Sequence, residues 1–312
     1  MGIKLTILGY NSAIPTAFSH PTSQLLNINE RYILIDCGEG TQVQLRRAKI
    51  KFSKINHIFI SHLHGDHVFG LVGLISTFQL LGRKKELQIF GPVGIEDFIM
   101  NQLRHTKAHC NYPLTFHELD HQDPQLIYED KKILVYTIPL NHRIYCNGYL
   151  VKEKAKLRHL KIEEIEKYPE IQRTDYLSLK QGNDFISSSG QVIPNAELTS
   201  GASQPESYAF CSDTMYKPEL AELLRDVSCM YHEATFMHES QDRAIATGHS
   251  TAIEAATIAR DANAGSLIIG HFSNRYMDLN PLLEEAQSVF PNTHLPKMLL
   301  TLDIKDLVNA GV

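Results

Sequence analysis

One six-residue run constrains this 312-residue chain more than any other segment: His62-Leu63-His64-Gly65-Asp66-His67. It places three histidines and an aspartate between an apolar stretch, I-N-H-I-F-I-S, and a second apolar stretch beginning at Val68. Imidazole and carboxylate are the ligands that suit zinc and related divalent ions in hydrolytic centres, where one position stays open to water. A single histidine is most often a hydrogen-bonded core or surface residue. Four ligand-type residues at a strand-to-helix turn reverse that expectation. Gly65 is expected to let the backbone turn sharply, so that His62 and His64 face one point while Asp66 and His67 face a neighbouring one.

Such a centre needs a rigid frame. Residues 2–8, 31–36, 55–60 and 86–90 read as short strands, with helical patterns after the second and third. A second block follows late in the chain, with strands over 208–211, 227–232 and 267–271 and helices over 217–225 and 251–261. Ser250 or Thr251 is the expected N-cap of the last helix. Strands alternating with helices predict a layered α/β fold. Each strand ends near a residue capable of chemistry: Asp36, Ser61-His62, Asp213, His232-Glu233 and His271. Open α/β sheets aim side chains from strand ends at one point, so these residues are expected to gather. His142 after I-L-V-Y-T-I-P-L, Asp213 in F-C-S-D-T and His271 in L-I-I-G-H are the candidates to complete the ligand set. Singly they read as a loop histidine, a helix N-cap and a strand-end residue; together they favour ligands.

The composition, 43% hydrophobic and 21% charged, is that of an ordinary globular protein with a sizeable core. Residues 1–312 are read as a single domain. A net charge of -5 gives no global positive field, so nucleic acid could be held only locally. The five cysteines are scattered and contain no C-x-x-C pair, which argues against a disulfide framework and a thiolate zinc site and suits a reducing, cytoplasmic setting. No apolar run approaches the ~20 residues that span a bilayer, and no secretory pattern opens the chain. Between 152 and 185 the pattern becomes mixed charge, with Lys152, Lys154, Lys156, Arg158 and Lys161 ahead of Glu163, Glu164 and Glu166. It reads as a partly helical insertion, and residues 195–206 as a polar surface loop.

Over essentially its whole length the chain resembles the ribonuclease Z family of the metallo-β-lactamase fold superfamily. The matching segments are L-G-Y-N-S-A-I-P, L-I-D-C-G-E-G-T-Q, F-I-S-H-L-H-G-D-H, I-F-G-P-V-G-I, F-C-S-D-T, Y-H-E-A-T-F, G-H-S-T and I-I-G-H-F-S-N-R-Y. H-x-H-x-D-H specifies only the superfamily; H-E-A-T with G-H-S-T is much narrower. The resemblance implies an α/β fold of four layers, an αββα sandwich, with a protruding tRNA-binding arm at 152–185. It also implies two divalent metal ions, zinc with manganese also admitted by the ligands. His62, His64 and His142 would hold one ion, Asp66, His67 and His271 the other, and Asp213 would bridge. Asp36 would orient a ligand histidine, although a turn-forming role explains it equally well from sequence.

The implied activity is endonucleolytic removal of 3′ extensions from precursor tRNA, leaving a 3′-hydroxyl, by a homodimer. Asp66 would serve as general base and His249, paired with Glu233, as the acid that protonates the leaving 3′-oxygen. His232, Thr235 and Thr251 are assigned to structure. The chain departs from the family at two points. The P-x-K-x-R-N loop is replaced by Pro15-Thr16-Ala17-Phe18-Ser19-His20, and the arm tip, E-K-Y-P-E-I-Q-R-T-D-Y, lacks the usual Gly-Pro richness. A phosphodiesterase for small or other RNA substrates, and a catalytically silent RNA-binding protein, are the competing readings.

Overall fold

The computed structural model describes residues 2–202 and 204–309. They form two compact units, one made of Met1–Lys152 with Glu206–Val312, the other of Glu153–Pro205.

The larger unit is built on two seven-stranded sheets. In the first, the strands run in the spatial order Thr301–Asp303, Ile3–Gly9, Ser23–Ile28, Arg31–Ile35, Ile55–Phe59, Leu87–Pro92 and Leu114–Leu119. Its first three pairings are antiparallel and its last three parallel. Successive side chains of a strand point to opposite faces, and the sequence exploits this at Leu25-Leu26. Leu26 pairs with Leu5 and Ile33 and packs towards the second sheet, whereas Leu25 pairs with Leu34 and packs beneath helices.

The second sheet has the order Thr293–His294, Leu267–Gly270, Cys229–Glu233, Ser207–Cys211, Asn147–Glu153, Ile133–Pro139 and Leu126–Glu129. Its first four strands are parallel. Between the sheets lies a core of Ile3, Leu5, Phe59, Tyr149, Phe210 and Tyr231, all essentially sealed from solvent. Outside the first sheet, Leu45, Leu74, Phe78 and Ile99 bring three helices onto Leu34 and Ile58. Outside the second, Ala252, Ala255, Ala259 and Leu282 bring two helices onto Ala209, Met230 and Ile269. The result is helix, sheet, sheet, helix. The alanine face of Ala252–Asp261 lets that helix approach its sheet closely. Thr251 caps it, with the Thr251 hydroxyl and the Glu254 carboxylate each taking the other's backbone N–H.

Several elements differ from expectation. Ser23–Ile28 and Leu114–Leu119 are strands that the pattern did not reveal, since S-Q-L-L-N-I and L-T-F-H-E-L alternate poorly. The helix expected over 217–225 is reduced to Leu220–Leu223, because Pro218 and the turn at Asp226 confine it.

The smaller unit has its own apolar cluster of Ile165, Ile171, Leu179, Ile193 and Leu198. Its short elements are two strand pairs, His159–Leu160 with Thr199–Ser200 and Phe185–Ile186 with Val192–Ile193, and three short helices. Within the stretch expected to be loop, Asn195–Leu198 is one of those helices, anchored by buried Leu198 and by Asn195, whose amide donates to the Leu179 and Asn183 carbonyls. Part of its basic cluster is engaged internally: Lys156 pairs with Glu153 at 2.6 Å, and Arg158 donates to Thr199. No helix among the described residues is long and apolar enough to cross a membrane.

Candidate metal centre

The carboxyl ends of strands from both sheets deliver the candidate ligands. Asp36 follows Arg31–Ile35, His62 lies just past Ile55–Phe59, and His142 lies past Ile133–Pro139. Asp213 follows Ser207–Cys211, Glu233 closes Cys229–Glu233, and His271 follows Leu267–Gly270. Asp36 and His271 both sit at positive φ, 55° and 58°. That conformation is uncommon outside glycine and persists where surrounding structure fixes it.

The ligand atoms fall into neighbouring groups. His62, His64, His142 and Asp213 offer one set of atoms all within 4.8 Å of one another, and Asp66, His67 and His271 offer another. In the first, His62 Nε2 lies 2.9 Å and His142 Nε2 3.3 Å from His64 Nδ1. In the second, the Nε2 atoms of His67 and His271 are 3.4 Å apart. Asp213 stands between them. Its Oδ1 is 3.3 Å from His67 and 3.2 Å from His271, and its Oδ2 is 3.7 Å from His62 and 4.0 Å from His142. Asp213, His249 and His271 form a further group of the same kind.

Ring nitrogens and carboxylate oxygens converging in this way require donors or a positive charge at their lone pairs. A divalent cation at each group meets that requirement, and the donor set fits one. In the first group the electrostatics agree. Burial pushes His62 well below the usual imidazole range, aided by His67 beside it, and burial also lowers His64 and His142. Neutral imidazoles with free lone pairs are what a cation takes. At Asp213 burial acts upward, but His271, His67 and His62 outweigh it and hold the carboxyl well below its usual range. Asp66 is lowered against burial in the same way, by His67 and His271.

The surrounding shell fixes these groups. Asp36, fully buried, accepts from Ser61 N at 2.7 Å and Ser61 Oγ at 2.8 Å, and its Oδ2 lies 2.6 Å from His67 Nδ1. That contact directs Nε2 of His67 towards Asp213. His142 Nδ1 donates to the Gly248 carbonyl at 2.7 Å. Gly248 itself has φ +79°, and a Cβ there would lie 2.9 Å from His142 Nδ1, so glycine serves both the turn and the histidine. The Thr235 hydroxyl lies 2.7 Å from Glu233 Oε2 and 3.0 Å from His271 Nδ1, so it ties the acidic pair to a ligand. Asp66 Oδ2 accepts the backbone N–H of Ala13 at 2.8 Å.

His249 Nδ1 meets Glu233 Oε1 at 2.8 Å. Burial acts to lower this imidazole, but Glu233 outweighs it, and the value rises to about 9. Burial acts to raise Glu233, but His249 beside it holds the carboxyl below its usual range, and the carboxylate also accepts the backbone N–H groups of Thr214 and Thr235, both at 3.0 Å. His232, by contrast, points into the protein, with its Nδ1 on the Glu233 carbonyl at 2.7 Å.

All the residues expected at the centre therefore lie at one edge of the sheets. Sequence reasoning placed Ser61 at the centre without giving it a role, and missed Ala13 and Gly248 as supports. Ser61 stands beside His62 and Gly248 beside His249, yet neither residue type signals such a role. Gly65 stands at the turn from strand end to helix and opens the helix Gly65–Val68 without a left-handed φ. What keeps it small is the Phe69 ring, which a Cβ would meet at 2.2 Å.

Four layers with a histidine-aspartate cluster at the strand ends define a metallo-β-lactamase-fold protein. The metallo-β-lactamase fold protein YhfI from Bacillus subtilis matches with a TM-score of 0.68 over 97% of this chain and 100% of its own, at 17% identity, a likeness of fold alone. Within that fold the sequence is more specific. Ribonuclease Z of Bacteroides fragilis (strain YCH46) is 47% identical over 304 residues, 96% of this chain and 99% of the relative. Human tRNase Z, short form, is 25% identical with a TM-score of 0.69, covering 96% of this chain and 99% of that one. The family described as Anti-Pycsar protein Apyc1 matches residues 3–142, the part that carries H-L-H-G-D-H. The chain belongs to the ribonuclease Z family, and is a hydrolase of the endoribonuclease class.

Proposed function

We propose that this chain removes 3′ extensions from precursor tRNA, cutting one phosphodiester and leaving a 3′-hydroxyl. The observation that carries the reading is Asp213, whose two oxygens face two adjacent ligand groups. His62, His64 and His142 would hold one divalent ion and Asp66, His67 and His271 the other, with Asp213 standing between the two groups. Zinc suits the donors best, and manganese is compatible. When bound, such a pair lowers the pKa of water towards ~7 and clamps the phosphate for in-line attack.

The protein's own groups do the rest. Asp66 Oδ2 is engaged by Ala13, His67 and His271, so Oδ1 is the atom left to take a proton from attacking water. His249, held through Nδ1 by Glu233, has Nε2 left to give a proton to the leaving 3′-oxygen. Asp36 positions His67. Glu153–Pro205, which contains most of the 152–185 insertion, serves as the arm that grips tRNA, and the working form is a cytoplasmic homodimer. A phosphodiesterase acting on small or other RNA phosphodiesters is the second reading, and the loop Pro15–His20, without Lys, Arg or Asn, favours it.

The test is chelation and reconstitution. Protein stripped of ions is expected to lose cleavage of a 3′-extended precursor tRNA and regain it as two equivalents of divalent ion bind, while Asp213→Ala regains neither. Full cleavage by the stripped protein would contradict the reading.

A further inference from the structure

The loop Pro15–His20 borders the cleft over the metal centre yet offers no cationic side chain to a phosphate. The cleft, about 600 Å³, nevertheless carries guanidinium groups from other segments: Arg143, Arg243 and Arg275 line it together with His249. Arg275 is already engaged, stacked over the Phe236 ring at 5.1 Å and donating to Ser273. Arg143 and Arg243 are different. Both are exposed, and neither guanidinium makes a hydrogen bond or ion pair among the described residues.

Their placement is fixed by the elements that build the acid. Arg143 directly follows His142, and its Cγ lies 3.3 Å from the position a Cβ would take on Gly248. Its charge reaches His249, where it opposes the rise that Glu233 imposes. Arg243 stands on the helix Gln241–Thr247, whose Ala244 carbonyl accepts the His249 backbone N–H at 2.8 Å. Two unpaired guanidiniums thus flank the group proposed to protonate the leaving oxygen. A planar guanidinium binds phosphate oxygens in pairs and stays charged at every working pH.

We propose that Arg143 and Arg243 form a phosphate clamp, gripping the sugar-phosphate backbone on the leaving-oxygen side of the scissile bond and taking over the phosphate contacts that the loop Pro15–His20 cannot make. The proposal rests on the assignment of RNA as substrate. The clamp holds backbone and not bases, so it adds affinity without adding sequence preference.

The experiment is competition. Hydrolysis of bis(p-nitrophenyl) phosphate by the metal-loaded protein is inhibited with a short single-stranded RNA at several salt concentrations, for wild type, Arg143→Ala and Arg243→Ala. Each substitution is expected to raise the RNA inhibition constant about tenfold. Each should also reduce the slope of its logarithm against the logarithm of salt by about 0.7. Turnover of the small diester without RNA stays as in wild type, which shows that both variants fold. Unchanged inhibition constants and slopes, or no inhibition of wild type, would overturn the clamp. A clamp seen in competition while wild type leaves precursor tRNA uncut would sink the tRNA assignment alone.

Discussion

At the residue scale the site is a set of fixed contacts around a few ionisable atoms. Asp36 illustrates what sequence could and could not say. Its place after an apolar strand suggested either a turn or a support for a ligand, and both are realised: its φ is 55°, and its carboxylate holds His67 Nδ1. The candidate ligand cluster was legible because its residue types are rare in combination. Ala13 was not legible, because a backbone N–H has no residue signature. His249 carries the sharpest prediction. Its protonated form is lost as pH rises through about 9, and cations beside it move that loss to lower pH. Cleavage of precursor tRNA should therefore fall on the alkaline side, at or below that value. In His249→Ala the limb should vanish and the rate drop by ~10²-fold or more. A p-nitrophenolate leaves without a proton, so turnover of its diester should fall far less. Equal losses on both substrates would remove His249 from the role of acid.

At the scale of elements, the paired strands Asn147–Glu153 and Ser207–Cys211 explain how the smaller unit can be tolerated. Ser207 lies opposite Lys152, so the chain leaves and returns at adjacent positions of one antiparallel ladder. A ladder of this kind can be closed by a short Asn-Gly turn. Replacing residues 154–205 with such a turn should preserve hydrolysis of a small chromogenic diester and raise the KM for precursor tRNA at least tenfold. Equal loss of both activities would mean that the insertion supports the centre itself. The insertion was visible in sequence as a change to mixed charge, but its C-terminal part was not. Asn195–Leu198 is too short for periodicity to mark, and it is stabilised by packing of Leu198 that only the folded unit supplies. The strands that sequence revealed, such as Ile3–Gly9 and Ile55–Phe59, are those whose apolar residues face covered surfaces.

At the scale of the whole molecule, charge is distributed rather than accumulated. A chain with net charge -5 meets a polyanion only where cations are set locally, and the cleft supplies them beside the centre. Two sheets, each buried on both faces, bring candidate ligands from opposite halves of the sequence to one edge: His62 through His67 from the first sheet, His142, Asp213 and His271 from the second. No single segment could do this, which is why the joint reading of distant strand ends was more informative than any one of them. The fold class was legible because two blocks of strand and helix repeat along the chain. Their spatial order was not, because pairing between Ile3–Gly9 and Thr301–Asp303 joins the two ends of the sequence. The measurement that tests the account most directly is mapping, at nucleotide resolution, of the products formed from a 3′-extended precursor tRNA by the metal-loaded protein and by Asp66→Ala. A single cut just after the discriminator base is expected, with a 3′-hydroxyl on the tRNA, and no cut by the variant. Scattered cuts along the RNA, or a cut of equal rate by Asp66→Ala, would contradict it.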